Sequence, residues 1–113
     1  MYGECGGYMA LGRNLTDASG IVHRMAGLLG VETSFAKRRM TLGYREARLA
    51  ADCALGPAGT VLRGHEFHYA TIDSAGSDEP FASMCDAYGV SLSSAGSRRG
   101  RVTGSFFHVI AEA

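Results

Sequence analysis

Several things are scarce in this 113-residue sequence, and each scarcity argues against something. Cysteines number three, Cys5, Cys53 and Cys85. An odd, widely spaced set argues against a disulfide framework or a paired-cysteine zinc site and fits a reducing, cytoplasmic setting. The two prolines, Pro57 and Pro80, argue against a proline-rich disordered chain. Charge of one sign is also lacking: 11 Lys and Arg balance 11 Asp and Glu. No general field for nucleic acid or a membrane surface results, and neither partner is expected. No apolar run approaches the roughly 18 residues of a membrane span. The first twelve residues carry no Lys or Arg, so no signal peptide is expected.

What is present is glycine, 16 residues or about twice the usual share. The glycines fall between short segments, which predicts tight turns and strands more than long helices. The length suits one domain. Two basic clusters, Lys37-Arg38-Arg39 and Arg98-Arg99 with Arg101, read either as solvated faces or as walls of a carboxylate or phosphate pocket. Their spacing does not choose.

The stretch Gly3-Glu4-Cys5-Gly6-Gly7-Tyr8-Met9-Ala10-Leu11-Gly12 sets a cysteine among glycines ahead of a short helix-forming run. That is the pattern of a nucleophile elbow, a sharp strand-to-helix turn tolerating only small neighbours. The helix start favours a thiolate, and the N–H of Gly6 is placed to donate to an oxyanion. The alternative is a structural cysteine in a glycine-rich turn. An elbow is fed by a strand of about five or six residues; only Met1 and Tyr2 precede Gly3, so that strand is expected to lie outside this chain.

Further along, Gly7 to Leu11 predicts a helical turn stopped at Gly12. Asp17 to Gly20 reads as a loop between short strands, and Met25 to Val31 as a connector or strand. Thr33 to Leu49 is expected as one long strand, or two with a bend near Gly43, from the alternation of Met40, Leu42 and Tyr44. Pro57 sits in a turn, followed by strands over Thr60–Leu62 and Gly64–Tyr69. Phe81–Tyr88 and Val90–Leu92 flank Gly89 as a hairpin. Ser93 to Gly100 is expected as a loop and Arg101 to Ala111 as the last strand.

A thiolate nucleophile needs a base, usually histidine. Of His23, His65, His68 and His108, His23 lies in a polar stretch and reads as a surface residue. His108 ends an apolar, aromatic strand, where it is either a core histidine or a side chain aimed into a cleft. His65, Glu66 and His68 fall short of the H-E-x-x-H zinc helix, because the histidines are three apart and a strand sends them to opposite faces. No metal site is expected.

Taken together, the Cys5 block, Gly64-His65-Glu66-Phe67-His68-Tyr69 and Gly96-Ser97-Arg98-Arg99-Gly100-Arg101-Val102-Thr103-Gly104-Ser105-Phe106-Phe107-His108 occur in the order of a known family. With Ala36 to Met40 and Leu42 to Arg45 between them, they resemble the C-terminal glutamine amidotransferase domain of cobyrinic acid a,c-diamide synthase, over essentially the whole chain.

The resemblance implies an α/β, strand-rich, partial class I glutamine amidotransferase-like (flavodoxin-like) domain missing its N-terminal part, with residues 1–113 as the C-terminal part. It implies a ligase that amidates the a and c carboxylates of cobyrinate, using glutamine and ATP, in cobalamin biosynthesis. Cys5 is then the nucleophile, His108 the acid/base and Gly6 an oxyanion donor, with His65, Glu66 and His68 as support. ATP and Mg²⁺ belong to an N-terminal domain that this chain lacks, so the chain alone is expected to be weak or inactive.

Triad amidotransferases place a glutamate two residues after the histidine. Here that position is Ile110, with Glu112 four residues on, which implies a Cys–His dyad. A homodimer covering the exposed sheet edge is expected. The rival readings are a cobyric acid synthase-type enzyme and a non-catalytic fragment that binds a partner chain.

Overall fold

A computed structural model describes residues 1–36, 40–74, 76–86, 88–89 and 96–112. The chain is strand-rich α/β, with three sheets and one short helix, α1 (Gly6–Leu11), among the described residues. The first sheet orders β1 (Tyr2–Glu4), β10 (Val102–Ser105) and β9 (Ser97–Arg99) as β1-β10-β9. The second contains β2 (Asn14–Thr16), β3 (Val22–Arg24), β4 (Glu32–Ser34) and β7 (Thr71–Ser74), in the order β3-β2-β4-β7. The third contains β5 (Thr41–Leu49), β6 (Val61–His68), β8 (Ala82–Asp86) and β11 (Phe107–Glu112), in the order β11-β6-β5-β8.

Several sequence expectations need correction. The strand feeding the elbow is in the chain: β1 pairs in parallel with β10, Gly3 opposite Gly104. It was hidden by being only three residues long. Thr33 to Leu49 holds two strands, β4 ending at Ser34 and β5 starting at Thr41 and running unbroken through Gly43. Ser97–Arg99 is strand β9 rather than loop. Arg101 to Ala111 is two strands separated at Phe106, which leave in different sheets. β8 pairs with β5; the other half of the expected hairpin, Val90–Leu92, and the cluster Lys37-Arg38-Arg39 lie outside the described residues.

Two hydrophobic cores meet at one dipeptide. Phe107 is buried with Ala47, Leu49, Leu62, Phe81, Ala82 and Met84. Its neighbour Phe106 is buried with Tyr8, Leu29, Val31 and Ala70. Along β5 the buried parity begins as Thr41, Gly43 and Arg45 and becomes apolar only at Ala47 and Leu49. The alternating Leu42 and Tyr44 face outward, 61% and 70% exposed. The period-two signal is therefore real, but its apolar members lie on the solvent side.

The helix sits close on the first sheet because the strands beneath it carry glycines. A Cβ on Gly3 would stand 2.8 Å from the Gly7 carbonyl carbon and oxygen in the helix backbone, and one on Gly104 would stand 2.5 Å from Tyr8 Cδ1. Both are closer than real Cβ contacts allow, so this packing requires glycine at each. Tyr8 is thereby fully buried, its hydroxyl 2.7 Å from Ser97 Oγ and its ring edge-on to Phe106.

Candidate active site

Cys5 is the cap residue between β1 and α1, with φ 50° and ψ −108°. It is the one non-glycine residue with positive φ among the described residues. Such a conformation costs on the order of 1–3 kcal/mol and persists only when its surroundings enforce it. Here the Cys5 N–H donates to the Ser105 carbonyl at 3.0 Å, extending the β1–β10 ladder, while the Cys5 carbonyl accepts from Met9 N–H at 3.0 Å, the first bond of α1. The backbone must turn sharply between these two commitments, and the half-buried Cys5 side chain packs beside the core that holds Tyr8 and Phe106.

His108 arrives from the third sheet. β11 pairs antiparallel with β6, His108 opposite His65 and His65 in turn opposite Tyr44 of β5. A Cβ on Gly64 would collide with the His108 carbonyl oxygen, so glycine at that position lets β11 lie against β6 where it does. The result is a distance of 2.6 Å between Cys5 Sγ and His108 Nε2, within one chain. The Phe106 carbonyl is a second acceptor near the thiol, at 3.6 Å.

Around this pair the other predicted residues take separate places. The His65 ring stacks on that of His108, centroids 5.1 Å apart and planes 15° from parallel. Glu66 and His68 point to the opposite face from His65, as strand alternation requires. Glu66 accepts from Arg45 Nε at 3.0 Å and lies 3.1 Å from His68 Nε2, while His68 Nδ1 is 2.9 Å from the Ala70 carbonyl. With both nitrogens engaged, the His68 ring is held flat against Phe106, centroids 4.0 Å apart. His23 is exposed and bonded to Asp17, away from the pair. Among the described residues no group of three His, Cys, Asp or Glu could hold a metal ion.

The sequence reading missed Glu4. Its Oε1 lies 3.2 Å from His108 Nδ1, and the only signal available was its position beside Cys5.

Electrostatics correct one further expectation. Burial first, then the negative charges of Glu4 and Glu66, push the Cys5 thiol above its ordinary range. The surroundings therefore favour the protonated thiol, opposite to what a helix start alone predicts. Glu66 goes the other way, held below the usual carboxylate range by the hydrogen bond from His68 and then by Arg45, against the opposing effect of burial. Tyr2, whose hydroxyl donates to the Phe107 carbonyl at 3.2 Å, is pushed up to about 12, mainly by burial.

All 113 residues match the family described as CobB/CobQ-like glutamine amidotransferase domain. The chain belongs to that family. It is 60% identical to the hydrogenobyrinate a,c-diamide synthase of Mesorhizobium japonicum over 113 residues, covering 100% of this chain and 26% of the relative. The figures are 59% over 112 residues for the enzyme of the same name from Agrobacterium fabrum, covering 99% of this chain and 26% of the relative. For that of Rhodobacter capsulatus they are 57% over 111 residues, covering 98% and 25%. The chain thus spans about a quarter of the length of these amidotransferase-family relatives. No helix among the described residues is long and apolar enough to cross a membrane.

Proposed function

We propose that this chain is the glutamine-hydrolysing part of a hydrogenobyrinate a,c-diamide synthase. The observation that carries the reading is the 2.6 Å approach of His108 Nε2 to Cys5 Sγ on a strained elbow, in a chain matched end to end to an amidotransferase family. Because the thiol is held above its ordinary range, attack needs a base. His108 Nε2 takes the thiol proton and Cys5 Sγ adds to the side-chain amide carbon of glutamine.

The resulting oxyanion accepts from the N–H of Gly6, a donor type worth about 10²–10³ in rate. His108 returns the proton to the amide nitrogen, the C–N bond breaks and ammonia leaves. Water, deprotonated by Nε2, then adds to the thioester carbon. The C–S bond breaks, the thiol regains its proton and glutamate is released. His65 braces the His108 ring, while the Arg45–Glu66–His68 set braces Phe106, whose carbonyl faces the thiol.

In this reading the ammonia amidates the a and c carboxylates of the corrin acid named in the relatives. That shared a,c-diamide name favours this acceptor over the one of a cobyric acid synthase. ATP and Mg²⁺ are assigned to the part of such a synthase that this chain does not span. The sequence lacks a G-x-x-x-x-G-K-[ST] loop, and no acidic cluster among the described residues suits a metal. No ATP step is assigned to this chain. β1 lies at the edge of its sheet, where a second copy or further polypeptide would pair; the setting is cytoplasmic.

The test is selective labelling with a glutamine-like chloroketone, mapped by mass spectrometry, alongside glutamate release from glutamine. Cys5 is expected to react faster than Cys53 and Cys85. Equal rates at all three cysteines would overturn the reading, and ATP turnover by this chain would contradict the division of labour.

A further inference from the structure

We infer that Glu4 is a positioning residue for His108, holding the proton on Nδ1 so that Nε2 faces Cys5 as an acceptor. The inference rests on the Cys5–His108 reading above. Its geometry is independent of the usual arrangement, in which the carboxylate follows the histidine by two residues. Here that place is held by Ile110, which is exposed.

An imidazole has two nitrogens on opposite edges of the ring, and only one carries a proton when the ring is neutral. Nε2 is 2.6 Å from Cys5 Sγ and Nδ1 is 3.2 Å from Glu4 Oε1. A carboxylate accepts and does not donate, so Glu4 selects the tautomer with hydrogen on Nδ1. That leaves the Nε2 lone pair for the thiol proton. The other groups facing the ring are accounted for: His65 lies flat against its face, and Glu66 is engaged by Arg45 and His68.

The topology explains how a residue beside the nucleophile reaches the base. β1 pairs with β10 so that Glu4 stands opposite Ser105, three residues before His108. Tyr2, on the same side of β1, bonds Ser105 Oγ and the Phe107 carbonyl at 3.2 Å each. Residues 2 and 4 together hold the segment that carries His108. Because Glu4 and Cys5 are adjacent, nucleophile and positioning group move as one unit.

Glu4 acts on the two members in opposite senses. It orients the base, yet its charge is one of the influences that push the Cys5 thiol up. Removing it therefore gives a signature that general loosening does not. In Glu4→Ala, glutamine hydrolysis is expected to fall about 10–100-fold in kcat with KM unchanged. That is less than the ~10⁴ seen where a fully buried orienting carboxylate is neutralised, because the side chains of His108 and Glu4 are 36% and 34% exposed. Alkylation of Cys5 by iodoacetamide is expected to hold steady or rise.

The deciding measurement needs no turnover. The ¹⁵N shifts of the neutral His108 ring are expected to show hydrogen on Nδ1 in the unaltered chain and a shift towards Nε2 in Glu4→Ala. In Glu4→Asp, whose carboxylate is withdrawn by one methylene, they should show a partial shift, which guards against misfolding of the alanine variant. The same tautomer in all three chains overturns the assignment of Glu4. Failure of the glutaminase reading would show separately, as equal labelling of the three cysteines.

Discussion

Cys5 and His108 reach the same point by opposite means. Cys5 is held by strain, in a backbone conformation that non-glycine residues avoid, between a ladder bond on one side and a helix on the other. His108 is held by register, as one rung of an antiparallel sheet aligned through His65 to Tyr44 before the β11 pairing shifts beyond Val109. The strained member is set by the helix next to it in sequence and by a ladder bond to Ser105 from the far end of the chain. The regular member is set by strands more than 40 residues away in the chain. A site of this kind depends on a sharp turn locked by a distant strand for one partner and on sheet register for the other.

The sharpest way to break that contrast is to relieve the strain. Cys5→Gly is expected to abolish glutamine hydrolysis while raising stability by about 1 kcal/mol, the relieved strain less the greater freedom of an unfolded glycine. Denaturant melts beside a glutamate-release assay check it; a less stable variant would mean the elbow is not strained.

Attacking the other member is expected to cost activity and stability together. Gly64→Ala drives a methyl group into the His108 carbonyl. The predicted loss is about 10²-fold in kcat, since a displacement near 1 Å suffices for that, with roughly 2 kcal/mol of stability from overpacking.

A smaller effect concerns the bracing set. The native pKa of Glu66 is depressed, so its stabilisation is present above the ordinary glutamate range and is lost as pH falls through the depressed native value. Glu66→Gln is expected to flatten the acid side of the stability-against-pH curve by removing that titration. An unchanged acid limb in a urea-melt series would count against the Arg45–Glu66–His68 arrangement. The smallest effect is Tyr2→Phe, which removes the bonds to Ser105 and the Phe107 carbonyl. A loss of about 1 kcal/mol is expected, together with a modest loss of kcat, because residue 2 helps hold the His108 segment.

The same contrast explains what the sequence made legible. The elbow could be read because its requirements are local: small residues around Cys5 and a helix start immediately after. The predominance of strands over helices could be read from glycine spacing, whereas the α/β class came from the resemblance. Strand β1 could not, because three residues carry no period. Leu42 and Tyr44 do alternate along β5, but alternation does not say which face is buried, and here the apolar set is outside. Glu4 escaped notice because its partner is distant in sequence and the expected carboxylate lay after the histidine.

The split at Phe106 was equally hidden, since two adjacent phenylalanines look like one apolar run. Yet they enter separate cores, Phe106 with Tyr8 and Phe107 with Met84, and His108 follows at once. The thiol and the imidazole can therefore meet only when both cores have formed. Chemically, the pair behaves as a coincidence detector for folding. During refolding, the base-assisted reactivity of Cys5 should appear last, after each core has closed, and should report the arrival of the whole molecule from a single sulfur atom.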